Sequence, residues 1–384
     1  MKYFFIWLYL FVFLGLVAPA QASFTTLSGD FKAAVLSGTR VVALDSDSDL
    51  FTSDDGGGSF VLRQATSDTF EAMDAVEGTV IVVGVDGLVL RSIDNGATWS
   101  LLDSGSSPSV FNALYSVAGR SVEGNPNEWI AVGDDGFYSV VYRSIDDGAT
   151  WTEVEVLTDV LIRDVIWTGN RWLLSGRDFF DDGIIYSSTD GLTWSAASVP
   201  SGSMPLLAMA HDSQGVIVAV GEFGEVLRSV DDGLTFTDAP NIPYFGDFST
   251  VAVDGNGIFY LGGTEKVVLR LEGTESSFLV GPDMQAPDIL DLLFINDAVV
   301  GVGAFGTLTN RTIPLNLLIS AGGTEDFRLT VSQTLSNKVY SLETSIDLVE
   351  WLPSGALTRL GTGSELFFDV AKEDTKRFWR VVEQ

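Results

Sequence analysis

The sequence predicts an all-β protein: a seven-bladed β-propeller followed by a small C-terminal β-sandwich domain. One motif recurs along the chain, and its Asp positions are separated by 39, 52, 44 and 41 residues. Between the copies lie short Val-rich segments separated by glycine-containing turns. A repeat of about 40 to 50 residues with several short strands per unit is typical of propeller blades. The repeat ends after Pro314, which predicts a separate domain beyond it.

The motif reads Arg-Ser-x-Asp-x-Gly-x-Thr-aromatic in its complete form. In such a turn the Asp carboxylate can accept backbone N–H bonds, the Ser and Thr hydroxyls satisfy further polar groups, and Gly permits a left-handed step. We therefore predict a structural role for the motif aspartates, and a structural pairing for the arginines, whose copies are spread around the ring. The aspartates are Asp55, Asp94, Asp146, Asp190 and Asp231, and a degenerate copy retains Arg270, Ser277 and Phe278.

Strands and hairpins can be predicted within each unit. Segments 79–85 and 88–92 are predicted strands, because an Asp-Gly pair between apolar segments favours a hairpin whose two turn residues have positive φ. A seventh unit, 289–311, has three predicted strands and no motif. We expect residues 23–27 to supply its outer strand, which would close the ring and remove the exposed sheet edges. The predicted turns are Asp86-Gly87, Asp135-Gly136, Asp182-Gly183, Phe223-Gly224 and Phe305-Gly306.

The motif residues, with the longer phrase from Gly84 to Ser92, resemble the bacterial neuraminidase repeat, or Asp-box. That repeat is found in sialidases, xyloglucanases, sortilin-like receptors and propellers of the photosystem II assembly factor type. The longer phrase is most similar to the assembly factor type and to uncharacterised exported bacterial propellers. The resemblance spans about residues 40 to 310 and implies the fold, since shared architecture does not transfer an activity. The assembly factors act through a basic arginine patch, whereas this chain is acidic.

Residues 1–22 are predicted to be a secretory signal peptide. Lys2 precedes an apolar segment, 3–18, and Ala20-Gln21-Ala22 gives the small-x-small pattern of a cleavage site. The alternative is an uncleaved membrane anchor, although the apolar segment is shorter than the ~20 residues that span a bilayer. We predict a secreted, periplasmic or cell-surface protein without a transmembrane segment after cleavage. Its predicted domains are a propeller over 23–317 and a β-sandwich module over 318–384.

The chain is strongly acidic and has no cysteine. It carries 52 Asp and Glu against 21 Lys and Arg, a formal net charge of −31. Such a field repels nucleic acid and anionic membranes and keeps the protein soluble, so we expect a monomer with no nucleic-acid partner. The lack of Cys excludes disulfides, thiol nucleophiles and Cys-ligated zinc. The charge either attracts cationic partners or reflects adaptation to salty surroundings.

Propeller ligands usually bind over the central channel. We use the term channel face for the end of the ring that carries the links between blades and the turns between second and third strands. The segments predicted to lie there are acidic, and two carboxylates about 5 to 9 Å apart could hydrolyse a glycoside. Asp also favours such turns for conformational reasons. The candidate binding residues are Asp86, Asp134, Asp135, Arg163, Arg177, Asp181, Asp182 and Glu222.

No catalytic residue is predicted. The resemblance to sialidases would require an Arg-Ile-Pro segment, which the sequence lacks, and the single histidine, His211, lies at a predicted turn without a Gly-x-Ser-x-Gly elbow elsewhere. Asp45, Asp47 and Asp49 alternate in a segment that could bind Ca²⁺. They do not form an EF-hand, because the invariant Gly and the bidentate Glu are absent, and the alternative is a solvated turn. No other cofactor is predicted.

The C-terminal segment has its own strand pattern. The phrase Tyr340-Ser341-Leu342-Glu343-Thr344-Ser345, with Arg377-Phe378-Trp379 near the end, resembles a β-sandwich module that ends many exported bacterial proteins. The resemblance implies a role in attachment, surface display or sugar contact. Trp351 and Trp379 are the predicted core, and the predicted strands are 329–332, 339–345, 366–370 and 378–382.

The leading functional hypothesis is an exported, non-catalytic propeller that binds a protein or glycan partner through its channel face. The second is a polysaccharide hydrolase, xyloglucanase-like or, with fewer matching residues, sialidase-like. A third is a structural component of the cell surface, anchored by the C-terminal module.

Overall fold

The computed structural model describes residues 23–27, 30–102, 113–134, 138–239, 242, 244–281, 287–295 and 298–303, and the backbone of six strands between 316 and 383. The predicted signal peptide, Asp135 and the predicted turn at 305–306 lie outside the described residues. The chain divides into two compact units, one spanning Phe24–Ile313 and the other containing Pro314–Gln384. Within the described part of the chain, no helix has the length and apolar character needed to cross a membrane.

The first unit contains six four-stranded antiparallel sheets in its described residues, and each strand pairs with the next in sequence. We call these sheets blades 1 to 6. Blade 1 is β2 (Phe31–Ser37), β3 (Arg40–Asp45), β4 (Leu50–Ser53) and β5 (Val61–Gln64); blade 2 is β6 (Phe70–Val76), β7 (Thr79–Gly84), β8 (Val89–Ser92) and β9 (Ser100–Leu101); blade 3 is β10 (Ala113–Arg120), β11 (Glu128–Asp134), β12 (Ser139–Ser144) and β13 (Thr152–Leu157).

Blades 4 to 6 repeat the arrangement. Blade 4 is β14 (Val160–Trp167), β15 (Trp172–Asp178), β16 (Gly183–Ser188) and β17 (Ser195–Ala196); blade 5 is β18 (Leu206–His211), β19 (Ile217–Gly221), β20 (Val226–Ser229) and β21 (Thr237–Asp238); blade 6 is β22 (Phe248–Val253), β23 (Phe259–Gly263), β24 (Val268–Glu272) and β25 (Glu275–Val280).

The first strands of successive blades contact one another in chain order, which places them at the centre of a ring. Each of these strands has a β-bulge near its start, as between Phe70 and Ala72 in blade 2. A bulge re-aims the side chains that follow it. The core lies between neighbouring blades, where the fully buried Ile81 and Val83 of blade 2 pack with Leu114 and Trp129 of blade 3.

A three-stranded sheet follows blade 6 and differs from the predicted seventh blade. It consists of β26 (Asp291–Ile295), β27 (Ala298–Val302) and β1 (Ser23–Thr26), and β26 contacts both β22 and β2. Over the residues that are described, the ring therefore has six four-stranded blades, and the prediction of seven is wrong in that respect. The N-terminal strand joins this sheet at its outer edge, as expected, and pairs there with the second strand β27.

The turns between second and third strands follow the prediction at two sites and differ at a third. Both residues of Asp86-Gly87 (φ 57° and 65°) and of Phe223-Gly224 (φ 54° and 77°) are left-handed, as hairpins of this kind require. At the Asp182-Gly183 site the left-handed residue is Asp181, with φ 64°. Gly183 instead begins β16, because four residues separate the two strands here.

The second unit contains two antiparallel three-stranded sheets in its described residues. All four predicted strands are present, and two strands were not predicted, β28 and β31. One sheet has the order β28 (Asn316–Ala321), β29 (Asp326–Ser332), β32 (Leu366–Ala371), and the other β31 (Leu352–Leu360), β30 (Val339–Ser345), β33 (Phe378–Glu383). Trp351 lies outside the described residues, and the β-sandwich arrangement and its boundary stay predictions.

Candidate functional site

The innermost strands β2, β6, β10, β14, β18, β22 and β26 line a central channel that encloses a cavity of about 590 Å³. Its wall combines small and apolar residues with a few charged ones, and three aspartates on the innermost strands line it: Asp74, Asp164 and Asp291. The sequence prediction did not include these three residues. Each side chain is half-buried.

Asp74 and Asp164 fasten their own blades to the next blade in the ring. Asp74 Oδ2 accepts the backbone N–H of Gly119, on blade 3, at 2.8 Å. Asp164 Oδ2 likewise accepts the N–H of Met209, on blade 5, at 2.8 Å. Asp164 also accepts a bond from Ser116 Oγ on blade 3, at 2.8 Å, so it connects three blades.

Asp291 connects neighbouring blades in the same way, between blade 6 and blade 1. Its Oδ2 accepts the backbone N–H of Ala34, on blade 1, at 3.0 Å, and its Oδ1 accepts a longer bond from Thr250 Oγ1, on blade 6, at 3.4 Å. Burial raises the pKa of Asp74, Asp164 and Asp291 to about 6, although the backbone bonds oppose the shift. The charge of Asp291 also raises the pKa of Asp164, so the two carboxyls influence each other electrostatically.

The channel mouth carries two cations that are held by aromatic or acidic neighbours. The guanidinium of Arg163 lies over the ring of Tyr115 at 4.5 Å. Burial and a hydrogen bond to Asp134 raise the pKa of the Tyr115 hydroxyl. Lys32 Nζ lies 3.8 Å from a carboxylate oxygen of Glu71. Of the predicted binding residues, Asp134 and Arg163 are thus brought together through Tyr115.

The other predicted binding residues lie on separate turns of the channel face. Asp86 is exposed on blade 2 and Glu222 is half-buried on blade 5. On blade 4, Arg177 forms an ion pair with Asp181, while Asp178 Oδ1 accepts the backbone N–H of Asp182 at 3.0 Å. The described residues therefore present these groups as turn-forming or solvated side chains around the ring, not as one cluster.

The candidate calcium ligands form a tight turn. Asp45 Oδ1 accepts the N–H of Asp49 at 2.7 Å, and Asp49 Oδ1 accepts the N–H of Thr66 at 2.9 Å. Among the described residues, no group of three or more His, Cys, Asp or Glu side chains could hold a metal ion. Calcium binding by Asp45, Asp47 and Asp49 stays a prediction. His211 lines the channel, where its Nδ1 lies 3.2 Å from the Asp212 carbonyl oxygen.

The motif turns lie at the opposite end of the blades from the channel face, between third and fourth strands. In blade 2, Asp94 accepts bonds from Ser92 Oγ, from the N–H of Thr98 and from Thr98 Oγ1, at 2.8, 2.8 and 2.6 Å. These bonds, with that from the Thr98 hydroxyl the largest, lower the pKa of Asp94. Asp55, Asp146, Asp190 and Asp231 accept corresponding bonds in their own turns.

The motif also joins one blade to the next. Arg91 of blade 2 forms an ion pair with Asp147, which lies in the motif turn of blade 3, at 2.9 Å, and its Nε donates to the Asp147 carbonyl oxygen at 2.7 Å. Arg143 pairs with Glu128 within blade 3. The structural pairing expected for the motif arginines is observed at these two positions.

Replacing Asp94 with alanine is expected to destabilise the propeller by about 2 kcal/mol, because three hydrogen bonds to one carboxylate are lost. The Ser and Thr donors of the turn can then form hydrogen bonds only with water. The neighbouring Ile93, whose side chain is 64% exposed, provides the matched control. Ile93→Ala should leave the urea midpoint of unfolding unchanged. Equal midpoints for the two variants would show that the turn does not depend on its carboxylate.

The channel face also exposes apolar side chains that the sequence analysis missed. On blades 4 and 5 and the links that follow blades 4 and 5, five large apolar residues are exposed; we call them the phenylalanine surface. They are Phe179 (61% exposed), Phe180 (86%), Met204 (41%), Phe223 (64%) and Phe245 (84%). A signal was present in the sequence, because Phe223 replaces the Asp that the equivalent turn of blade 2 carries.

Comparisons with known proteins agree with the fold. No family model and no curated protein matches the chain. Among solved structures, YCF48 bound to D1 peptide is similar with a TM-score of 0.51 and 16% identity, over 76% of this chain and 95% of that one. The WD40 β-propeller domain of Doa1 is similar with a TM-score of 0.56 and 13% identity, over 74% of this chain and 93% of that one.

A GH74 enzyme of Niastella koreensis gives a TM-score of 0.51 and 14% identity, over 86% of this chain and 60% of that one. Identities this low show the fold alone. The chain is a β-propeller, as predicted, and in fold it is similar to YCF48 and to GH74 propellers.

Proposed function

We propose that this chain is an exported, non-catalytic β-propeller that binds a protein partner on its channel face. The observation that carries the proposal is the phenylalanine surface. Monomeric soluble proteins rarely expose contiguous apolar surface unless it mediates an interaction, and aromatic side chains are enriched in the buried centre of protein interfaces. The YCF48 propeller, similar in fold, has been determined with a bound peptide.

The contacts of the channel carboxylates favour binding over hydrolysis. A glycosidase needs one carboxyl group to protonate the leaving group and a second to act as base or nucleophile. Asp74, Asp164 and Asp291 instead accept backbone N–H bonds from neighbouring blades, so their oxygens are engaged in holding the ring together. The phenylalanine surface lies outside the channel, on turns and links where a polypeptide has room to bind.

The lack of native cysteine allows a direct test of the binding face. A single cysteine at Phe245→Cys, on the channel face, or at Val230→Cys, at the opposite end of blade 5, can be coupled to a bulky polymer. We expect a displayed library of random dodecapeptides to yield binders that the polymer blocks at position 245 and not at position 230. Binders that are blocked equally at both positions, or at neither, would contradict the proposal.

Hydrolysis is tested separately. The purified chain is incubated with a panel of polysaccharides that includes xyloglucan. Both the release of reducing ends and the retention of the protein on each polysaccharide are measured. We expect no release of reducing ends above the level of a heat-denatured sample. Turnover that disappears in Asp164→Asn but persists in the exposed-site variant Asp86→Asn would assign the channel to catalysis and overturn the proposal.

A further inference from the structure

The phenylalanine surface is one continuous surface, because its turns and links contact each other in sequence around the ring. The N–H of Gly183, which follows the blade 4 turn, donates to the carbonyl oxygen of Ser203 at 2.7 Å. The next residue, Met204, donates its N–H to Glu225 on the blade 5 turn at 2.9 Å. The blade 4 turn, the link that follows it and the blade 5 turn therefore form adjoining parts of one face.

The same succession continues from blade 5 to the next link. The N–H of Phe223 donates to Asp247 Oδ1 at 2.9 Å. A Cβ added at Gly224 would lie 2.2 Å from the Tyr244 carbonyl oxygen and 3.1 Å from the Cα of Phe245. The backbones that carry Phe223 and Phe245 are therefore in direct contact, and only a glycine at position 224 allows them to approach this closely.

Blade 5 adds a concave site to this surface. A cavity of about 380 Å³ is lined by Phe223 together with Glu225 and Asp238, and by residues 200–203 of the link. Burial raises the pKa of Glu225, and the negative charge of Asp238 raises it further. The two carboxylates thus experience each other's charge within the same cavity.

The charge on and around the phenylalanine surface is strongly one-sided. The described turns and links that form it, together with the strand ends that adjoin them, carry seven carboxylates and one cation, Arg177. Further evidence of this field is the pKa of Tyr244, which is raised first by burial and then by the charges of Glu265, Asp247 and Asp288. The carboxylates are Asp178, Asp181, Asp182, Glu222, Glu225, Asp238 and Asp247.

We propose that the phenylalanine surface, with the adjoining cavity on blade 5, binds a polypeptide segment in which basic residues alternate with apolar ones. This inference rests on the proposed function and specifies the partner. The apolar side chains pack on the exposed phenylalanine rings, and a Lys or Arg side chain enters the cavity between the Phe223 ring and the two carboxylates. An aromatic ring and an anion both attract a cation, and complementary charge speeds association and selects the partner.

The test uses the full secreted chain and three synthetic dodecapeptides: alternating Lys and Leu, alternating Glu and Leu, and alternating Lys and Ser. The first is expected to bind, the second not at all, and the third at least about tenfold more weakly, because both the charge and the apolar contacts contribute. Equal binding of the Lys-Leu and Lys-Ser peptides would reduce the interaction to bulk attraction by an acidic protein and overturn the inference.

Paired variants locate the interaction. Phe223→Asn with Phe245→Ser removes two exposed rings of the surface, and Asn tolerates the left-handed conformation of residue 223. The matched control, Ile93→Ser with Val230→Ser, removes two apolar side chains of similar exposure from the opposite end of the blades. We expect the Lys-Leu dissociation constant to rise roughly tenfold in the first pair and to stay within about twofold in the second. Equal effects would overturn the inference.

A second set of paired variants locates the charge that contributes to peptide binding. Asp182→Asn with Glu222→Gln neutralises two carboxylates of the surface, and Glu77→Gln with Glu153→Gln neutralises two exposed carboxylates elsewhere. Both pairs change the net charge equally, so the inference requires that only the first weakens binding. Dimerisation or polysaccharide retention that is abolished by Phe223→Asn with Phe245→Ser would identify a different occupant and overturn the inference.

The peptide library separates this inference from the proposed function. Selected peptides that are rich in Lys, Arg and apolar residues, and that no longer bind the phenylalanine double variant, support both. Selected peptides that are neutral or acidic but equally sensitive to that variant would leave the proposed function standing and the inference wrong. Peptides insensitive to the channel-face variants would contradict both.

Discussion

Replacing Gly221 with alanine is expected to destabilise the propeller by about 3 kcal/mol, because the new methyl group has no room. Its Cβ would lie 1.9 Å from the Pro205 carbonyl oxygen and 2.9 Å from the carbonyl carbon. That oxygen accepts the N–H of Glu222 at 3.0 Å, so moving it also breaks the bond that ties the first strand of blade 5 to the end of its second strand. The φ of Gly221 is −165°, so close approach and not backbone conformation demands glycine.

Gly255→Ala is the matched control, because a Cβ at that position meets no atom within 4 Å. The urea midpoint of unfolding should fall clearly for the first variant and remain unchanged for the second. The same close approach recurs in other blades, where a Cβ at Gly84, Gly133, Gly176 or Gly263 would lie within 2.1 Å of a carbonyl oxygen in the first strand or in the residue just before it. If Gly221→Ala unfolds at the same midpoint as Gly255→Ala, this repeated contact is not needed for the packing of the first strands.

The parts of the fold that could be predicted from sequence depend on residues near each other in the chain. In the turn from Ser92 to Thr98, the bonds that Ser92 and Asp94 make to the turn itself span at most four residues, so its residue types indicate its structure directly. Strand alternation and the period of the repeat are local in the same sense. Residues 23–27 were assigned to the last sheet from sequence because unit 289–311 lacks the motif and the strand that follows it. The pairing of β1 with β27 in particular depends on a partner almost three hundred residues later, about which the local pattern carries no information.

The candidate site was predicted only in part for the same reason. The channel face was correctly recognised as acidic, but acidic turn residues such as Asp86 and Asp181 lie on different blades, and spacing alone could not show whether they meet. Asp74 and Asp164 act through backbone groups 45 residues further along the chain. A single Asp on each of these two inner strands was the available signal. The exposed phenylalanines were missed because apolar residues in a β-rich sequence were attributed to strands and core.

We expect the propeller to become more stable as the pH falls from 7 to 5. Burial raises the pKa of Asp74, Asp164 and Asp291 to about 6, well above the value of about 3.9 that an Asp has in an unfolded chain. The folded state therefore binds more protons than the unfolded state between about pH 4 and pH 6. The stability contributed by these groups is fully present below about pH 4 and is lost as the pH rises through 6, on the order of 3 kcal/mol for each carboxyl.

The motif carboxylates act in the opposite sense at lower pH. For Asp231, burial acts to raise the pKa, but bonds from Thr235 and Ser229 outweigh it and lower the pKa to about 2. The stability that Asp231 contributes is present above about pH 4 and is lost as the pH falls through 2. The two sets of carboxylates together place the maximum of stability near pH 4 to 5.

Asp164→Asn tests the origin of this pH dependence. The variant loses a bond acceptor, which lowers stability by a similar amount at every pH, but it also removes one of the three titrating groups. Its free energy of unfolding should therefore change with pH about one third less steeply than that of the native chain between pH 5 and 7. Asp86→Asn, at an exposed channel-face residue, should retain the native slope. Urea unfolding at half-unit steps of pH measures both, and carbon NMR titration of the Asp carboxyls identifies the groups that take up protons.

A native chain whose stability does not change between pH 7 and 5 would contradict the prediction. It would show that the channel carboxyls are already ionised in that range, and that the channel water solvates them as well as bulk water does.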